Sequence, residues 1–84
     1  MANLHDTLEL GRAAEELLAP GSVLTEALEE LQDRYTNDWK NSKVNEVEQR
    51  EKAYMAIIAI EDLKTQLQTY TDRAMYAQRQ MQRG

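Results

Sequence analysis

The chain contains no cysteine, no phenylalanine, one proline and three glycines in 84 residues. Without cysteine it has neither a disulfide staple nor a thiolate metal site, so nothing covalent compensates for a small core. A chain of this length buries only about 60% of the surface it exposes when unfolded, and small unstapled chains often gain stability by associating. No apolar run approaches the ~20 residues that cross a bilayer. The opening "MANLHDTLEL" has neither the basic segment nor the long apolar core of a secretory signal. The expected location is therefore the cytoplasm.

Chemistry-bearing groups are also scarce. The single histidine, His5, has no neighbouring ligand pattern, and its plain reading is a surface residue near a helix end. Glu61 and Asp62 are adjacent on a helix and so point in different directions, which suits solvation better than a shared acid–base site. Glu15–Glu16 and Glu29–Glu30 lack the Glu-x-x-His partner that a carboxylate metal bundle needs. The glycines are isolated, so no loop cradles a phosphate. Neither catalysis, a cofactor nor a metal is expected.

What is present is helix-forming: alanine, leucine, glutamate, glutamine and arginine dominate, and 30% of residues are charged. The net charge of −5 argues against a main role on phosphate backbones, so nucleic acid is not an expected partner. Charge is unevenly placed. Residues 1–34 carry eight acids against Arg12 and Arg34, and beyond Asp72 only Arg73, Arg79 and Arg83 remain. An acidic first half and a basic tail attract one another, within one chain or between chains. The arginines of "RAMYAQRQMQR", interleaved with Met75, Tyr76 and Met81, read first as a helix end that complements its own dipole.

Periodicity divides the chain into three helices. The first spans about residues 3–19, with Asn3 as N-cap and Leu4, Leu8, Leu10, Ala14, Leu17 and Leu18 at mostly helical spacing. Gly11 weakens its middle by roughly 1 kcal/mol relative to alanine. "APGS", residues 19–22, breaks it: Pro20 disfavours helical geometry at Ala19, Gly21 permits a turn, and Ser22 caps the next helix. The second helix spans about 23–39, with Leu24, Leu28, Leu31 and Tyr35 in heptad spacing and Trp39 closing the stripe. A polar loop covers 40–45.

The third helix spans about 46–83, opened by Asn45 and Glu48 as a capping box. Its apolar residues Ala53, Ala56, Ile60, Leu63, Leu67, Tyr70, Ala74, Ala77 and Met81 alternate spacings of three and four without a slip. Tyr54, Ile57 and Ile58 widen the stripe near its start, as where two neighbours pack. The expected core is Leu28, Leu31, Ile57, Ile60 and Leu63. Past Leu67 the stripe narrows into a seam awaiting a partner. The interface candidates are Leu67, Tyr70, Ala74, Ala77 and Met81, with Tyr35 and Trp39 as an aromatic anchor.

The segment Asp38–Leu67 resembles small all-helical proteins of tailed bacteriophages and prophages. The matching residues are Trp39, Ser42, Glu48, Arg50, Glu51, Tyr54, Ile57, Ile60, Asp62, Leu63 and Leu67. The resemblance implies a phage setting, host cytoplasm or virion, in which short helical proteins assemble into particles or bind host factors. It supplies no catalytic residue and leaves the first 37 residues unconstrained.

The expectation is an all-α protein, an antiparallel helical hairpin or three-helix arrangement with one long C-terminal coiled-coil-like helix. Its expected work is structural or assembly work through helix–helix packing. The alternative is a small phage-encoded protein that binds and redirects a host protein. The expected partner is a second copy of the chain or another protein, with no membrane involved.

Overall fold

In the computed structural model, which describes residues 3–83, the two shorter helices each begin behind a side chain that accepts one of their first free N–H groups. The first helix, α1, runs Leu4–Leu18, and the Asn3 side chain accepts from the Asp6 N–H at 2.9 Å. The second, α2, runs Val23–Asn41 behind Ser22, whose hydroxyl accepts from the Thr25 N–H at 3.1 Å. The third, α3, runs Val47–Arg83. The fold is all-α, and the long C-terminal helix packs against the other two.

The break between α1 and α2 is a tight turn. The Ser22 N–H donates to the Ala19 carbonyl at 3.1 Å, and Gly21 adopts φ +81°, as the third residue of a type II turn requires. Ser22 and Thr25 also bind the end of α1. The Ser22 hydroxyl donates to the Leu17 carbonyl at 2.6 Å, and the Thr25 hydroxyl lies 3.2 Å from the carbonyls of both Leu17 and Ala19. Carbonyls left open at the end of one helix are thereby satisfied by the cap of the next.

The second connection differs in detail from the expected one. The helix α2 continues to Asn41, so only residues 42–46 lie outside helices. The carbonyl that accepts the first bond of α3, from the Arg50 N–H at 3.1 Å, belongs to Glu46 and not to Asn45. Glu46 also closes a small box with Lys43: each N–H is bonded to the other residue's oxygen, at 2.9 Å in both directions. The Arg50 guanidinium donates to the Val44 carbonyl at 3.0 Å and pins the loop to the first turn of α3.

Both shorter helices lie antiparallel along α3. Gly11 of α1 packs on Ala74 and Tyr70, Gln32 of α2 is bonded to Lys64, and Tyr35 shares a depression with Ala53. While α3 touches both partners extensively, α1 and α2 make few contacts with each other. The result is a flat rod 60 × 26 × 18 Å, one broken helix beside one continuous helix. Its radius of gyration of 17.4 Å exceeds the ~12 Å of a compact chain of this length.

The core is a narrow line of mostly small residues: Gly11, Ala14, Leu28, Ala53, Ile60 and Ala74. Leu28 and Ile60 are buried as expected, while Leu31 and Ile57 are only half-buried. Leu63 is a correction. It is 45% exposed, because only one helix lies against this part of α3 and Leu63 sits on the flank of the contact. The same cause leaves Tyr54 and Ile58 exposed, since no second neighbour reaches that side.

Candidate interaction surface

The unbroken stripe of α3 separates into two columns, each repeating every seven residues. Ala53, Ile60, Leu67 and Ala74 face the chain's own shorter helices: three are buried, and Leu67 is half-buried. Ala56, Leu63, Tyr70 and Ala77 form the second column, and none of these is buried. A heptad repeat places such columns side by side on a helix, each able to meet a different neighbour.

The shorter helices carry a matching column at the same interval: Leu10 and Leu17 on α1, Leu24 and Leu31 on α2. Leu10 and Leu17 are 45% and 44% exposed, and Leu24 and Leu31 are half-buried. At about 3.6 residues per turn, these leucines lie on one flank of the line through Gly11, Ala14 and Leu28. Thr25, Gln32 and Glu15 lie on the other flank.

The two flanks of the hairpin can be told apart from its grooves. One side carries the Lys64–Gln32 hydrogen bond at 2.8 Å. It also carries three successive depressions, lined among others by Leu18, Thr25, Lys64 and Gln68, then by Glu15, Leu18 and Thr71, then by Leu8, Arg12, Met75 and Gln78. None of the second-column residues lines any of them. For antiparallel right-handed helices, that geometry brings the column of Leu10, Leu17, Leu24 and Leu31 and the column of Ala56, Leu63, Tyr70 and Ala77 to the opposite side. The hairpin thus has one broad face that carries both apolar columns and one, the more polar face, where Gln32, Lys64, Gln68 and Gln78 are mixed with Leu8, Leu18 and Met75.

Charge frames the apolar face unequally. Helical spacing places Asp6, Glu30 and Asp38, with Arg34, along its outer edge on α1 and α2. Along the α3 edge stand Lys52 and Arg73, with Glu48 and Asp62. The Arg73 guanidinium carbon lies 6.0 Å from the centre of the Tyr70 ring, within range of a weak cation–π contact.

The expected interface residues divide accordingly. Ala74 is not available, because Gly11 of α1 covers it, so at this position the late seam has its neighbour within the chain. Tyr70 and Ala77 belong to the apolar face, and Leu67 is half-buried in the inner column. Met81 continues the inner column past the covered part of α3 and is 55% exposed. Tyr35 is half-buried, lining a depression with Asp38, Gln49, Lys52 and Ala53. Trp39 is largely exposed, and its carbonyl accepts from the Ser42 hydroxyl at 2.7 Å. The Arg83 side chain lies outside the described residues. The leucine column on α1 and α2 is the feature that reading each helix separately misses. The interval Leu10, Leu17, Leu24, Leu31 runs straight through the Pro20 break and is visible only when the break is ignored.

His5 and Glu9 form an exposed pair at 3.4 Å across one helical turn. Among the described residues no group of three or more histidine or acidic side chains could hold a metal ion, and no helix is long and apolar enough to cross a membrane. Comparison with protein-family models, with curated proteins and with solved structures yields no match.

Proposed function

We propose that this chain is a non-catalytic structural or assembly subunit that works through helix–helix packing, in the phage-particle setting that the resemblance of residues 38–67 implies. The observation that carries the reading is the division of the hairpin into two unlike faces. One presents two leucine-rich or alanine-rich columns at matched intervals, and the other holds shallow grooves in which Gln68, Thr71 and Gln78 stand among Leu8, Leu18 and Met75. A row of partly exposed leucines beside a second apolar column, with no further helix over them, is the kind of surface that supports protein association.

The second reading is a small binding protein that redirects a host protein. It has its own support in the acidic outer surface of α1 and α2, where Glu9, Glu16, Glu26 and Glu30 are exposed. Gradient fractionation of a lysate containing the chain separates the two readings. A structural subunit sediments in a large assembly, and Leu63→Lys releases it. A chain that sediments free of any large assembly removes the structural reading. Release by charge reversal of Glu26 and Glu30, with no effect of Leu63→Lys, favours the host-directed one.

A further inference from the structure

We infer that the apolar broad face is covered by a second copy of this chain, forming a two-fold dimer in which α1 and α2 of each copy lie over α3 of the other. The inference rests on the proposed role in helix–helix packing and names its first partner. Area is one argument. The chain exposes 6764 Å², whereas a compact monomer of 9.7 kDa exposes about 5,100 Å². The excess is larger than the roughly 800 Å² that each partner contributes to a standard protein–protein interface. A flat hairpin is half of a four-helix cross-section, and pairing two of them supplies the missing half.

Composition is the second argument. The column on α1 and α2 is four leucines, and the column on α3 is Ala56, Leu63, Tyr70 and Ala77. Leucines stacked over leucines from two copies leave the alanines unfilled. Leucines over the alanine-containing column place large residues against small ones, as interdigitated packing requires. A two-fold axis makes that contact twice, because each copy presents both columns.

Charge points to the same arrangement. The α1 and α2 edge, net acidic through Asp6, Glu30 and Asp38 despite Arg34, then meets the partner's α3 edge, where Lys52 and Arg73 stand among Glu48 and Asp62, whereas stacking like over like sets two net-acidic edges against each other. The attraction is between exposed groups and is screened by salt.

Sedimentation equilibrium of the full chain over a wide concentration range tests the inference, with circular dichroism of each variant as the control for folding. The expected mass is that of two chains. Leu17→Lys and Leu63→Lys, both at partly exposed positions, should each weaken association by at least about tenfold while helicity is kept. Gln68→Lys, on the polar face, should leave it unchanged. High salt should weaken association of the unaltered chain. A mass of one chain throughout overturns the inference, and so does association that responds to Gln68→Lys but not to the two leucine variants. Protection of the leucines only on addition of a different protein overturns it too. The functional reading fails separately: a chain that dimerises in isolation yet joins no large assembly keeps the dimer and loses the proposed role.

Discussion

Gly11 of α1 and Ala74 of α3 stand so close that a Cβ added to Gly11 would overlap the Ala74 methyl and lie 3.0 Å from the Tyr70 carbonyl oxygen. Both contacts are to parts of α3 that cannot swing aside. The glycine that weakens α1 as an isolated helix is therefore what lets α1 dock. Gly11→Ala gains up to ~1 kcal/mol in helix propensity but forces the helices apart, an overpacking cost of about 1–3 kcal/mol. The expected outcome is lower stability in urea, with faster hydrogen exchange concentrated in α1. A variant more stable than the parent would contradict the close approach.

Gly21 needs its glycine for another reason. Nothing lies within 4 Å of a Cβ placed there, but its φ of +81° disfavours any other residue. Gly21→Ala is expected to cost about 1–2 kcal/mol, and Gly21→Asn less, because asparagine tolerates the left-handed region better. Thermal melts of the two variants check the order.

The joint between α1 and α2 hangs on two hydroxyls. Ser22→Ala removes the cap of α2 together with a bond to the Leu17 carbonyl, and about 1 kcal/mol should be lost. Thr25→Ala removes a donor that reaches the same carbonyl. The two changes together should cost less or more than their sum, since they share one acceptor. Strict additivity in a double-mutant cycle would show that the joint is not a network.

The two columns of α3 should respond differently to truncation. Ile60, buried at 8% exposure, should lose about 2–5 kcal/mol as Ile60→Ala, with no dependence on protein concentration. Leu63→Ala should cost less than about half of that at high dilution, because less area leaves the water. Its cost should grow with concentration as the face it belongs to becomes covered. Equal, concentration-independent losses would return Leu63 to the core.

Much of the architecture was legible because helix punctuation is local chemistry. Pro20 and Gly21 fix a break wherever they fall, and Asn3 and Ser22 are capping residues by virtue of their short acceptor side chains. The depth of each apolar residue was not legible in the same way. Spacings of three and four place Ile60 and Leu63 on one stripe, yet burial depends on how many helices lie against that stripe, and only one does. The covering of Ala74 by α1 was hidden for a related reason. Its partner is a glycine, which contributes no hydrophobicity to any periodic pattern. Glycine opposite alanine on facing helices is a signal that becomes readable only once the two helices are paired.

Because α1 and α2 touch one another little beyond their joint, α3 is the spine of the described residues, and the contacts along it are ordered by distance in sequence. Contacts near the 42–46 loop join residues close in the chain, while those of α1 join its two far ends. Closing the short loop first costs the least entropy, so the hairpin is expected to zip from that loop outward, each turn of α2 preparing the next. The end holding α1 then forms last and opens first. A proteolytic clip at the Pro20 turn would accordingly release α1 as a peptide and leave α2 paired with the first half of α3.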